Sequence, residues 1–163
     1  MTVSVKQMLD MANAAVRRIS PAQAFALISE QDALIVDVRD PQEVEATGKI
    51  AGAVNISRGM LEFRADPESQ YHDARFDRSR PTILYCASGG RSALGAKVLK
   101  DMGFEHVFNL GAFKAWVEDG LPVDAEPRDG LIKPRRSFLR RLRSQQSWIV
   151  RCGLRFRPNA LRA

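Results

Sequence analysis

The sequence has few of the residues that carry disulfide, metal and cofactor chemistry. Its 163 residues include two cysteines and two histidines, and aromatic residues make up 7% of the chain. Two distant cysteines form no disulfide framework, which favours a reducing compartment, so we predict a cytoplasmic protein. No short zinc-ligand spacing links Cys86, Cys152, His72 and His106. We therefore predict no metal site and no cofactor.

Long apolar runs are also lacking. No stretch approaches the roughly 20 apolar residues that a membrane-spanning helix needs. Near the N-terminus, Lys6, Asp10 and Asn13 interrupt the apolar residues, which excludes the apolar block of a signal peptide. We predict no transmembrane segment. The length suits one domain with extensions rather than two full domains.

Acidic residues are scarce in one part of the chain only. Residues 128–163 contain eleven basic residues and one acid, a net charge of +10 within a total of +6, so residues 1–127 carry −4. The basic character therefore belongs to the C-terminal segment. Arginines alternate there with apolar residues such as Phe138 and Trp148. Three interpretations stay open: a disordered or loosely packed tail, a surface for anionic lipid or a protein partner, and a nucleic-acid contact.

Short apolar runs alternate with helix-start signals along residues 20–122. Ser20, Pro21 and Gln23 form an N-cap, a first-turn proline and a capping-box glutamine, and Asp40 and Pro41 repeat the device. We predict strands at residues 34–38, 54–56, 82–86 and 107–109, helices at residues 21–29, 60–64 and 113–118, a helix from Pro41 to Gly48 and another that Gly103 ends, and a long surface loop at residues 66–80. This alternation predicts a parallel sheet covered on both faces, with the site at the carboxyl ends of the strands.

Cys86 ends an apolar strand that is predicted to be buried, and it is followed by a loop that opens a helix. Backbone N–H groups of such a loop and the positive end of the helix dipole stabilise an anion. A cysteine in this position commonly has a pKa below the free value of about 8.5. Gly89 and Gly90 can adopt the positive φ that a ring of amides needs. We predict that Cys86 is a nucleophile held by the loop residues Ala87, Ser88, Gly89, Gly90, Arg91 and Ser92; the alternative is a core cysteine that only ends a strand.

The spacing within this loop bears on the size of the group that it holds. Four residues separate Cys86 from Arg91. Cysteine-dependent phosphatases use one residue more to surround a tetrahedral oxyanion. The shorter loop favours a single sulfur atom.

The loop at residues 86–92 resembles the active-site loop of the rhodanese family, the thiosulfate sulfurtransferases. Residues 34–41, 48–56 and 109–116 resemble three further signatures of that family, and the resemblance runs from about Arg18 to about Val123. Three positions depart from the usual pattern, and none lies in the loop: Lys49 where His is frequent, Ala51 where Pro is frequent, and Ala112 where a second Gly is usual.

The resemblance implies a fold and a domain organisation. The fold class is α/β, a three-layer rhodanese-like fold with a central parallel sheet flanked by helices on both faces. We predict an N-terminal extension with a helix at residues 1–17, a rhodanese-like domain at residues 18–126, and a basic Arg-rich tail at residues 127–163.

The resemblance also implies an activity. A sulfurtransferase would carry sulfane sulfur from a small-molecule donor such as thiosulfate, through a persulfide on Cys86, to a thiol, cyanide or a sulfur-carrier protein. Two alternatives stay open: a non-catalytic rhodanese-fold interaction module, and a cysteine-dependent phosphatase or arsenate reductase. Arg91 would either bind the donor or brace the loop against Glu43 or Asp37, and the resemblance favours bracing. Asp37 and Arg39 are expected at the same rim, either as an ion pair or in catalysis.

Overall fold

The computed structural model describes residues 2–124. The basic tail and Cys152 lie outside the described residues. Within residues 2–124, no helix is long and apolar enough to cross a membrane.

A five-stranded parallel sheet forms the centre of the described chain, in the order β1-β6-β5-β2-β4. The strands are β1 (Arg17–Arg18), β2 (Leu34–Asp37), β4 (Val54–Asn55), β5 (Thr82–Cys86) and β6 (Val107–Ala112), and a separate antiparallel pair consists of β3 (Lys49–Ile50) and β7 (Val123–Asp124). The helices are α1 (Val5–Ala15), α2 (Pro21–Gln31), α3 (Pro41–Thr47), α4 (Leu61–Ala65), α5 (Gly90–Asp101) and α6 (Phe113–Glu118), with a 3-10 turn at Arg58–Met60. The predicted parallel sheet flanked by helices is confirmed.

Both faces of the sheet are buried, because side chains along β2 and β5 alternate between two apolar clusters. Val36 and Leu84 pack on the face that α5 covers, together with Leu99 of that helix. Ile35 and Ile83 pack on the opposite face against helices α2 and α6. Strands β2 and β5 are therefore buried along their whole length, as their apolar composition predicts.

The helix-start signal at Ser20 acts as predicted. Ser20 Oγ accepts a hydrogen bond from the Gln23 amide at 3.2 Å, and Gln23 Oε1 accepts one from the Ser20 amide at 3.0 Å, so the capping box at the start of α2 is closed. At the end of α3, Gly48 has φ of 75°. The chain turns there from α3 into β3.

Four features differ from the sequence-based prediction. Strand β6 continues to Ala112 instead of ending at residue 109. The two-residue strand β1 and the β3–β7 pair were not predicted. The segment at residues 66–80 contains no helix or strand, as predicted, but it is not wholly a surface loop. Its Phe76 is 6% exposed and packs edge-on against Phe104, with ring centroids 6.0 Å apart.

Candidate active site

Cys86 is the last residue of the central strand β5, and α5 begins four residues later at Gly90. The loop folds back over the thiol. The Gly89 amide donates a hydrogen bond to Sγ at 3.1 Å, and Ser92 Oγ lies 3.6 Å from Sγ. Of the predicted loop residues, the structure thus places Gly89 and Ser92 against the sulfur of Cys86, a residue that is 0% exposed.

The surroundings of Cys86 favour a thiolate. Burial by itself raises the pKa of the thiol, but the Ser92 hydroxyl and the amides of Ser92, Gly89 and Ser88 act in the opposite direction and outweigh it. The net result is a pKa below the ordinary value for cysteine. A buried sulfur with lowered pKa is suited to nucleophilic attack rather than to a purely structural role.

The two glycines of the loop have different roles. Gly89 has φ of 100°, and a Cβ added there would lie 3.2 Å from the Gly111 Cα, so both conformation and space require glycine. Gly90 does not have positive φ, and the expectation that it would is wrong. It is the first residue of α5, where a Cβ would lie 3.7 Å from Leu9 Cδ2, an ordinary contact.

Arg91 points to α3 and forms a bidentate ion pair with Glu43. Nη1 lies 2.6 Å from Oε2 and Nη2 lies 2.8 Å from Oε1, with a carboxylate oxygen of Asp40 at 3.7 Å from Nη1. Hydrogen bonding to Arg91 lowers the pKa of Glu43 to about 2, and the same contact raises the pKa of Arg91. The bracing contact that the resemblance favours is thus present, and it joins the start of α5 to α3.

Asp37 and Arg39 form a buried ion pair below the rim. Arg39 donates from Nη2 to Asp37 Oδ2 at 2.6 Å and to the Gly48 carbonyl at 2.7 Å. Its guanidinium carbon lies 4.4 Å from the centre of the Phe113 ring, which stacks on Tyr85. At 0% and 2% exposure, respectively, Asp37 and Arg39 hold β2, α3 and α6 together. This geometry favours the ion-pair interpretation over direct catalysis.

The sequence pattern assigned no role to Asn109, which supports the loop from β6. Its Oδ1 lies 2.8 Å from Ser92 Oγ and accepts a hydrogen bond from the Gly111 amide at 2.9 Å. Asn109 is 3% exposed. A lone amide side chain inside an apolar strand is a signal that sequence inspection can use, because such groups are rarely buried without partners.

A recess of about 540 Å³ borders the loop at Ala87. The lining comes from the β2–α3 connection, α3, the loop and α6: Arg39, Glu43, Ala46, Thr47, Ala87, Phe113, Lys114 and Val117. Within residues 2–124 there is no group of three or more His, Cys, Asp or Glu side chains suited to a metal ion.

Removal of the Ser92 hydroxyl should raise the pKa of Cys86. We expect Ser92→Ala to lower the rate at which iodoacetamide alkylates Cys86 near pH 7. Near pH 10 the rate should be unchanged, because Cys86 is a thiolate in both the variant and the parent. The pH at which alkylation reaches half of its maximal rate should therefore move upwards, because the thiolate loses one hydrogen bond that stabilises it. Ser88→Ala is the matched control, because the variant retains the amide of residue 88. Equal pH profiles for Ser92→Ala and the parent would contradict this role.

The fold and the site together define a parallel α/β domain with a buried, activated cysteine at the carboxyl end of its central strand. Residues 20–119 match the Rhodanese-like domain family. The chain therefore belongs to the rhodanese-like family.

The proteins similar to the chain include sulfurtransferases. The thiosulfate sulfurtransferase GlpE of Pseudomonas entomophila is 35% identical over 102 residues, which are 61% of this chain and 84% of that protein. The polysulfide-sulfur transferase homodimer of Wolinella succinogenes is 30% identical, with a TM-score of 0.62, and the match covers 78% of this chain and 92% of that one.

A solved structure from Rhodopseudomonas palustris is 43% identical, with a TM-score of 0.71, over 76% of this chain and 96% of that one. It is described as a protein of unknown function and possible tyrosine phosphatase. The family and the sulfurtransferase relatives support a sulfurtransferase function for the chain in general terms.

Proposed function

We propose that the protein transfers sulfane sulfur from an anionic donor such as thiosulfate to a thiophilic acceptor through a persulfide on Cys86. The observation that carries the proposal is the hydrogen bonding of Sγ by the Gly89 amide and the nearby Ser92 hydroxyl. These groups stabilise negative charge on sulfur, both on the thiolate and on a terminal persulfide sulfur.

The proposed reaction has two half-reactions. The Cys86 thiolate attacks the outer sulfur of thiosulfate, the sulfur–sulfur bond of the donor breaks, and its electron pair leaves with sulfite. An acceptor thiolate or cyanide then attacks the outer sulfur of the persulfide, and the electron pair of that bond returns to Sγ. No oxidant or reductant is consumed, and the cysteine is restored as a thiolate.

The burial of Cys86 agrees with a small transferable group. Because the residue is 0% exposed, a donor must present a narrow reacting atom to the loop. A second sulfur bonded to Sγ extends beyond the position of the thiol and so is the atom that an acceptor meets. The recess beside Ala87 is where the remainder of a larger acceptor would lie.

Phosphate-ester hydrolysis is the second candidate, because the similar Rhodopseudomonas palustris protein is described as a possible tyrosine phosphatase. Two features of this chain disfavour it. The loop has four residues between Cys86 and Arg91, and both terminal nitrogens of Arg91 already donate to Glu43. A guanidinium engaged in this way has few donors left for the equatorial oxygens of a phosphoryl group.

Steady-state kinetics distinguish the two functions. With thiosulfate and cyanide as substrates, we expect thiocyanate formation with parallel double-reciprocal lines, the pattern of a covalent enzyme intermediate. With p-nitrophenyl phosphate, we expect no hydrolysis above background. Phosphate release without thiocyanate formation would contradict the proposed function and support the phosphatase.

A further inference from the structure

The cations around the loop are not equally available to an anionic donor. Arg91 is paired with Glu43, and Arg39 is paired with Asp37 in the protein interior. At the rim of the recess, Nζ of Lys114 lies 3.4 Å from Oε1 of Glu118. Each of these positive charges is offset by a neighbouring carboxylate, so each attracts a passing anion weakly.

Arg18 lies on the same side of the sheet as the start of α5. In the parallel β1–β6 pair, Arg18 is in register with Asn109, and residues in register place their side chains on the same face. Asn109 is the residue that contacts Ser92 beside the nucleophile. The neighbouring Arg17 is in register with Phe108 and lines a separate depression against α2, on the opposite face.

The guanidinium of Arg18 lies over Gly111, next to the loop. A Cβ added at Gly111 would be 2.9 Å from Nη2 of Arg18 and 3.4 Å from Cζ, so the missing side chain leaves the space that Arg18 occupies. Gly111 also contacts the loop from below, because a Cβ added at Gly89 would be 3.2 Å from the Gly111 Cα. Arg18 and Gly89, the donor of the hydrogen bond to Sγ, thus both border Gly111.

Arg18 is paired with β6 through its backbone, and its exposed side chain forms no hydrogen bond or ion pair with another side chain of residues 2–124. We infer that Arg18 attracts and orients the anionic end of the sulfur donor, the function that the paired Arg91 is poorly placed to perform. This inference rests on the proposed function, and it identifies the donor class as one with a negatively charged leaving group such as sulfite. An exposed guanidinium at the edge of the site acts mainly on donor affinity rather than on the chemical step.

The experiment compares Arg18→Met with Arg17→Met in the full chain. Both variants lose one positive charge from the same short strand, but the side chains lie on opposite faces of the sheet. Two readouts are used: the KM for thiosulfate, and the ratio of the alkylation rates of Cys86 by iodoacetate and by iodoacetamide. These two reagents have similar size and differ in charge. The ratio of their rates therefore reports the electrostatic potential at the sulfur without requiring turnover.

For Arg18→Met we expect a KM for thiosulfate about three- to tenfold higher, an unchanged kcat, and an iodoacetate-to-iodoacetamide ratio about threefold lower. Arg17→Met should retain both parental values, and Arg18→Lys should restore most of the ratio. Arg18→Gln provides the same comparison if the methionine variant is unstable. An unchanged ratio in Arg18→Met, or equal changes in both methionine variants, would overturn the inference.

The failure of the proposed function has a different signature. In that case, incubation of the parent protein with thiosulfate adds no sulfur to Cys86. The alkylation ratio still measures the effect of Arg18 on the thiolate.

Discussion

Cys86→Ser should abolish sulfur transfer. We expect the rate of thiocyanate formation to fall by about 1000-fold or more, to the background of the uncatalysed reaction. Serine has nearly the same shape, so the fold and the contacts of Gly89 and Ser92 should persist. Its hydroxyl is not ionised near neutral pH and cannot carry a persulfide. The measurement is the thiosulfate–cyanide assay, with thermal unfolding to show that the variant remains folded.

Cys152→Ser is the matched control, because it removes the other cysteine of the chain. Its rate should equal that of the parent protein. Retention of activity in Cys86→Ser together with its loss in Cys152→Ser would show that the sulfur is carried elsewhere.

Breaking the ion pair between Arg91 and Glu43 should have the second largest effect. The pair joins α5 to α3, and without it the start of α5 can shift relative to the amides that hold Sγ. We expect Arg91→Ala and Glu43→Gln each to lower kcat/KM about tenfold, since small displacements of a catalytic group are costly. If the pair acts only as a brace, the double variant should be no worse than either single variant. Activity of Arg91→Ala within about twofold of the parent would reject this role.

The same ion pair predicts the response to acid. The folded-state pKa of Glu43 is about 2, against an ordinary value of 4.5. A depressed carboxyl pKa contributes stability that is fully present above the ordinary value and is lost as the pH falls towards the folded-state value. The free energy of unfolding should therefore fall more steeply for the parent than for Glu43→Gln as the pH is lowered from 4.5 to 2.

The sequence was sufficient to predict the elements whose formation depends on residues close together in the chain. The apolar strand at residues 82–86 and the Ser20 capping box carry their signals within a few residues, and both are present in the structure. The loop around Cys86 could also be anticipated, because a cysteine between a buried strand and a helix N-terminus is typical of an activated thiol.

The features that were missed depend on contacts between distant residues. Strand β1 consists of two exposed arginines and has no apolar pattern, so only its pairing with β6 reveals it. Strand β6 was predicted too short, because Gly111 indicates a turn in sequence, whereas here it has φ of 92° within an irregular part of the β5–β6 pairing. The position of Arg18 beside the loop follows from its register with β6 and has no local signal, whereas Asn109 has one, an amide side chain inside an apolar strand.

The most direct test of the account is the intact mass of the protein after incubation with thiosulfate and removal of the excess. We expect a species heavier by one sulfur atom, located on the peptide that contains Cys86, and we expect cyanide to convert it back to the original mass while thiocyanate forms. A folded protein whose Cys86 is alkylated rapidly by iodoacetamide, yet never gains a sulfur atom from thiosulfate, would contradict the proposed transfer from this donor.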